Sequence, residues 1–112
     1  MDRPGVYNLS LYRGDSYIYH FLIWDDEALT IPSDLNGVVA RAQIRDRQNG
    51  ALLIEGQCSI VLPNTIVMEI RADDWIDVER RDTGYWDLQT VQNIIVTTLL
   101  AGRVEFAGEA TL

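Results

Sequence analysis

The residue types that most often carry out chemistry are few in this chain and do not cluster. His20 is the only histidine and Cys58 the only cysteine. Neither a histidine-based metal cluster nor an internal disulfide can therefore form within one subunit. No Gly-x-Ser-x-Gly motif marks a nucleophile, and no glycine-rich loop suits a phosphate group. We predict a protein that is not an enzyme and that uses no cofactor and no metal.

Acidic residues are the one abundant reactive type, with 17 Asp and Glu against nine basic residues, all of them arginine. Residues 25–27 and 73–77 form two acidic clusters, and neither has the spacing of a twelve-residue calcium loop. We interpret both clusters as solvated loops. The net charge of −8 argues against a nucleic-acid partner. No apolar run approaches the ~18 residues of a membrane span, so we expect no membrane partner.

The strongest structural pattern covers residues 84–106, which predict two antiparallel strands joined by a polar turn. Apolar and polar residues alternate along both strands, as expected where one face of a sheet is buried. Trp86 and Leu88 mark the predicted core face of the first strand, and Tyr85 lies on the opposite face. The rest of the chain must supply the partners that cover the core face.

Residues 16–24 form the longest uninterrupted β-type run in the sequence. Both faces of this predicted strand are largely apolar, and one of them carries Ile18, His20, Leu22 and Trp24. Such a strand either lies at the centre of a covered sheet or exposes a second surface for another chain. We interpret His20 as part of that packing or subunit surface rather than as a catalytic group.

Three further features point to contacts with other molecules. Arg41 and Arg45 share one face of a predicted strand, and arginine is well suited to interfaces. Tyr12, Trp24 and Tyr85 could form a platform that stacks on sugars, or they could anchor a protein interface, where aromatic residues are enriched. We favour protein contact. The predicted interface residues are Ile18, His20, Leu22, Trp24, Arg41, Arg45 and Tyr85.

Turn signals recur roughly every 8–12 residues, which is typical of an antiparallel sandwich. We predict an all-β fold of seven to eight short strands, with one short helical turn near residues 72–78 and Trp75 plugging an end of the core. Asn49-Gly50 is the strongest hairpin signal, and Arg13-Gly14-Asp15 predicts a turn. Residues 1–6 form a flexible arm in this prediction, residues 7–112 one domain, and residues 109–112 a last short strand.

Several segments, taken in order, resemble the small immunoglobulin-like β-sandwich proteins of tailed bacteriophages and prophages. They are Arg13-Gly14-Asp15-Ser16-Tyr17, Asp34-Leu35-Asn36-Gly37, Ala40–Arg45, Gly84–Gln89 and Leu99–Val104. Related domains stand at the N-termini of baseplate upper proteins and beside tail or fibre genes.

The resemblance implies an immunoglobulin-like sandwich with a structural role in the virion and no catalysis. It implies other virion proteins as partners, and a homo-oligomer, ring or other multi-copy assembly, built in the cytoplasm of the bacterial host. It leaves open whether the chain belongs to the tail, the baseplate, the fibre attachment or the capsid surface. The alternative is a module that binds carbohydrate on the host surface.

Overall fold

The computed structural model describes residues 5–75 and 82–108. This part of the chain consists of eight strands and one short 3-10 turn, η1. The strands are β1 (Gly5–Val6), β2 (Leu9–Tyr12), β3 (Tyr17–Leu22), β4 (Val39–Arg45), β5 (Leu52–Val61), β6 (Thr65–Ile70), β7 (Thr83–Gln92) and β8 (Ile95–Ala107), and η1 spans Ala72–Trp75. The longest strand is β8, with 13 residues, and not the 16–24 run, which gives the six-residue β3.

The strands form one continuous curled sheet in the order β1-β8-β7-β4-β5-β6-β3. β5 belongs to both layers because its first half pairs with β4, up to Gly56 opposite Ala42, and its second half pairs with β6 from Gln57 onward. The crossing falls at Gly56, where an added Cβ would lie 3.1 Å from Met68 Cγ. We call β4, β7 and β8 the large layer, and β3, β6 and the second half of β5 the small layer.

The predicted hairpin of residues 84–106 is confirmed as β7 and β8. Trp86 faces Gly102 and Leu88 faces Leu100, and a bulge follows Leu88. The turn at Asn49-Gly50 is also confirmed, because it joins β4 to β5 and Asn49 adopts a positive φ of 62°. The turn predicted locally from Asn49-Gly50 is therefore present in the complete fold.

The N-terminal strands depart from the predicted antiparallel arrangement because β1 and β2 both run parallel to β8. Gly5–Val6, assigned to the flexible arm in the sequence prediction, is β1, while residues 1–4 lie outside the described part. Between β1 and β2, the Tyr7 carbonyl passes over Gly102, where a Cβ would lie 2.3 Å from the oxygen. Only glycine permits this close approach.

The core lies between the two layers and is built on the inner faces of their strands. Trp86 is 1% exposed, and its indole N–H donates to the Tyr7 carbonyl at 2.6 Å. Tyr17, Tyr19 and Phe21 stack along the inner face of β3, and the Phe21 ring continues the stack onto Trp86 at 5.8 Å. This aromatic stack links the edge of the small layer to the centre of the large one.

The predicted helical turn is confirmed over Ala72–Trp75, and residues 76–78 of that prediction lie outside the described part. Trp75 is buried against Phe106 in an edge-to-face contact, and its indole N–H donates to the Asp15 carbonyl. It therefore plugs this end of the core as predicted. The predicted strand at residues 109–112 lies outside the described residues.

The distribution of strands over the two layers is that of an immunoglobulin-like sandwich. When β2 is counted as the first strand, the second, fifth and fourth strands form one layer, and the third, sixth and seventh form the other. The predicted all-β sandwich is therefore confirmed, with one exception. The N-terminal strands lie beside the last strand, β8, and not beside β3.

Candidate protein interface

The outer face of the small layer carries an open group of mostly apolar side chains, next to the polar residues Gln57, Ser59, Thr65 and Glu69. It carries Ile18, His20 and Leu22 of β3, together with Val67 of β6 and Val61 of β5, in adjacent rows of the sheet. Ile18 is 59% exposed, and Leu22 and Val61 are each 55% exposed. We call these five residues the apolar face. Grouped exposed aliphatic side chains of this kind are typical of surfaces that another molecule covers.

The position of β3 decides between the two interpretations of the 16–24 run. β3 ends the strand order and pairs only with β6 in the described part of the chain. Its inner side chains alternate with exposed ones along its whole length. It is therefore an edge strand with a second apolar surface, and not a central strand covered on both sides.

Trp24 lies past the end of β3, where it forms an isolated bridge with Pro32. The loop around it is held by Asp26, whose carboxylate accepts hydrogen bonds from the backbone amides of Thr30 and Ile31 and from the Thr30 hydroxyl. These bonds, led by that of the Thr30 hydroxyl, lower the pKa of Asp26. Asp25 accepts from the Ser33 hydroxyl at 2.6 Å. The acidic cluster at 25–27 thus organises its own loop.

The outer face of the large layer is polar, and its side chains bond to one another. We call Arg41, Gln43, Arg45, Tyr85, Asp87 and Gln89 the polar face. Arg41 donates to Gln89 at 2.9 Å. Arg45 donates to the Gly50 carbonyl at 2.8 Å and to Gln43 at 2.6 Å, which ties β4 to the following turn. These arginines already have partners within the chain.

Asp87 lies at the centre of the polar face, opposite Gln43 in the register. Burial raises its pKa above the ordinary value of 3.8, and the nearby Arg45 and Arg41 oppose that shift. The cost of removing the carboxylate from water therefore exceeds the attraction of the two guanidinium groups. This arrangement organises the face locally.

The structure thus divides the predicted interface residues between opposite sides of the sandwich. Ile18, His20 and Leu22 lie together on the apolar face. Arg41, Arg45 and Tyr85 lie together on the polar face, with Tyr85 opposite Arg45. Trp24 joins neither group. One partner surface cannot contact all seven residues at once.

The predicted aromatic platform is likewise divided. Tyr12 pairs with Ala107 near Trp75, at the end of the sandwich where β3 begins. Trp24 follows the opposite end of β3, about 20 Å away for a six-residue strand. Tyr85 lies on the polar face. The three rings therefore do not form one stacking surface.

The tip of the β7–β8 hairpin was missed in the sequence prediction. Val39, Val91 and Val96 form one cross-strand row there, and Ile94 at the turn is 93% exposed. The signal was present in the sequence as the apolar run Ile94-Ile95-Val96 after Asn93. Periodicity alone does not show where a hairpin extends beyond its layer.

Cys58 is half-buried on the inner side of β5 and packs against the core. Burial, with a smaller contribution from the Glu55 carboxylate, raises the pKa of its thiol from 9.0 to about 11. Within residues 5–75 and 82–108, no three His, Cys, Asp or Glu side chains come together as metal ligands. No helix in this part of the chain is long and apolar enough to cross a membrane.

Neither a family model nor a curated protein matches this chain. Among solved structures, the chain is similar to an extracellular fragment, including the stalk region, of novel immune-type receptor 11 from Ictalurus punctatus. The two are 12% identical, with a TM-score of 0.40, over 99% of this chain and 90% of the receptor chain. A similarity at this level says nothing about function.

Proposed function

We propose that this chain is a non-enzymatic structural protein of a bacteriophage virion, which acts through contacts with other virion proteins. The observation that carries the proposal is the apolar face. Ile18, Leu22 and Val61 are each more than half exposed and lie in one layer, Ile18 and Leu22 on β3 and Val61 on β5, with β6 between these strands. Covering such side chains with another protein releases about 25 cal/mol per Å² of apolar surface removed from water.

The virion context comes from the resemblance of the ordered segments between Arg13 and Val104 to immunoglobulin-like phage proteins. Two features of the molecule agree with it. The compact sandwich can be repeated in many copies, as virions reuse small subunits in symmetric assemblies. The hydrogen-bonded polar face offers a solvated surface on the side away from the proposed contact. The position in the tail, baseplate, fibre attachment or capsid surface is left open.

The test is the composition of purified particles. Virions of the phage or induced prophage that encodes the chain are banded by density, and their proteins are quantified by mass spectrometry against the major capsid protein. We expect a fixed number of copies per particle that survives a high-salt wash, since an apolar contact is insensitive to salt. Particles that lack the protein would reject the proposal.

A further inference from the structure

The free edge of β3 is the longest regular unpaired edge among the described residues. β3 pairs with β6 over six consecutive residues, from Tyr17 opposite Ile70 to Leu22 opposite Thr65, without a register shift. Within residues 5–75 and 82–108 no strand pairs with its other side. An edge of this kind presents a row of backbone N–H and C=O groups that can pair with another strand.

β3 has none of the features that usually protect such an edge. Its sequence, Tyr-Ile-Tyr-His-Phe-Leu, contains no Lys, Arg, Asp, Glu, Pro or Gly. The opposite edge of the sheet differs, because β1 and β2 have only two and four residues and are separated by Tyr7 and Asn8. Natural sheets protect their edges with charges, prolines, bulges or short strands. The edge formed by β1 and β2 is protected in this way by its short strands, whereas the edge formed by β3 is not.

Side chains on both sides of this edge would contact an added strand. Ile18 and Leu22 stand exposed on the outer side, and half-buried Tyr17, Tyr19 and Phe21 lie on the inner side. Because successive side chains of a strand point to opposite faces, an added strand with apolar residues at alternate positions would cover the outer pair. Its other side chains would meet the aromatic stack.

The charges at the two ends of β3 identify the kind of strand that fits. Asp15 precedes β3, and Asp25, whose carboxylate also accepts a hydrogen bond from Ser33, follows its end. The two neighbouring arginines are otherwise engaged, as Arg71 pairs with Glu69 at 2.7 Å and Arg13 lies over the Phe106 ring. A second copy would bring acid against acid in either strand direction. An antiparallel pair would place Asp15 near Asp25 of the other copy, and a parallel pair would place Asp15 near Asp15, and like charges in such positions are destabilising.

We propose that the free edge of β3 is a strand-addition site for an extended segment of a partner protein, with apolar residues at alternate positions and basic residues at both ends. Backbone hydrogen bonds supply the pairing, as in other complexes formed by strand addition. The basic ends pair with Asp15 and Asp25, and the apolar residues extend the contact to Ile18 and Leu22. This site rests on edge geometry and holds whether or not the chain is a virion component.

Two synthetic ten-residue peptides test the site. Both alternate valine and threonine over six central residues; one carries two arginines at each end and the other two glutamates. Each is titrated into the ¹⁵N-labelled full chain, and amide shifts and hydrogen exchange are recorded. The arginine peptide should shift and protect amides of residues 17–22. Ile18→Ser with Leu22→Ser should weaken it by at least about tenfold, whereas Val39→Ser with Leu52→Ser, which alters exposed aliphatics elsewhere, should not.

Three results would overturn the proposal. The arginine peptide could leave the β3 amides unchanged. The two peptides could bind equally well, which would exclude the role of the acidic ends. The chain alone could protect its β3 amides with increasing concentration, which would make a second copy the occupant.

Discussion

The two outer faces of this sandwich differ in how many of their side chains have interaction partners within the chain. On the polar face, Arg41 bonds to Gln89 and Arg45 bonds to Gln43 and to the turn. On the apolar face, Ile18 and Leu22 project into solvent. The polar face gains less from a partner because several of its donors already bond within the chain. The apolar face gains the transfer free energy of its aliphatic surface.

The difference also shows that exposure and residue type have to be considered together. Arginines on a strand face are typical of interfaces in general, and they drew attention to Arg41 and Arg45 in the sequence. Their bonds within the chain weaken that interpretation. Exposed aliphatic residues on an edge strand have no such internal partners, so the apolar face is the better candidate.

The largest expected effect separates the inner from the outer side of β3. Phe21→Ala removes a ring stacked on Trp86 and Tyr19, so we expect the free energy of unfolding to fall by about 3 kcal/mol. Leu22→Ala changes an exposed side chain and should cost less than about 1 kcal/mol. Urea unfolding of both variants measures the difference. Equal losses would mean that the outer side chains hold the fold together.

A thiol probe can distinguish the same two sides on β5. Cys58 faces inward, and the neighbouring Ser59 is exposed on the outer side. Because the thiolate is the reactive species, a pKa of about 11 instead of 9.0 lowers the thiolate fraction of Cys58 at pH 8 about 100-fold, so Cys58 should react more slowly than an ordinary thiol. The double variant Cys58→Ser, Ser59→Cys should react at the ordinary rate with iodoacetamide. In urea, where both proteins are unfolded, the two thiols should react at equal rates. Equal rates in the folded proteins as well would contradict the assignment of Cys58 to the inner side and Ser59 to the outer side.

The internal bonding of the polar face can be broken at one residue. Arg45→Ala loses the bonds to the Gly50 carbonyl and to Gln43, so we expect a loss of about 1 kcal/mol in unfolding free energy and faster amide exchange in residues 46–51. Arg41→Ala, which loses one exposed bond, should cost less than about 0.5 kcal/mol. If Arg45→Ala costs nothing and leaves the turn unchanged, the polar face is not organised by these bonds.

The smallest expected effect concerns the pH dependence of stability through Asp87. Its pKa is raised in the fold, so between the unfolded and folded pKa values the native state binds more protons than the unfolded chain. Stability therefore falls as pH rises through that window. Asp87→Asn should stabilise the protein at pH 7 by less than about 1 kcal/mol, and the gain should vanish below the unfolded pKa. Glu105→Gln, an exposed change of the same charge, is the control. Equal pH dependence in both variants would contradict the role of burial.

Sequence patterns predicted the local features of this fold well. Alternation assigned Trp86 and Leu88 to the core, and Asn49-Gly50 located a turn, because both signals depend on neighbouring residues. The same patterns placed Ile18, His20 and Leu22 on one face of a strand. The face shared by residues of one strand is a matter of two-residue periodicity, and it holds in whichever layer the strand lies.

The arrangement of strands could not be predicted in this way. Periodicity does not show that β3 ends the sheet, that β5 crosses between layers at Gly56, or that Gly5–Val6 runs beside β8. These depend on pairing between distant parts of the chain. For the same reason, the sequence grouped Arg45 and Tyr85 with Ile18 as one set of interface residues, although the structure places them on opposite faces.

The central claim is that the apolar face contacts other virion proteins, and the copy number of variants in assembled particles tests it most directly. A phage that lacks the gene is complemented with the double variant Ile18→Lys, Leu22→Lys, and copies per particle are counted by quantitative mass spectrometry. The matched control, Val39→Lys with Leu52→Lys, adds the same charge at exposed aliphatic positions outside the apolar face. We predict at least about a tenfold loss of the first variant and normal incorporation of the second. Normal incorporation of the first variant, with its fold intact, would contradict the account.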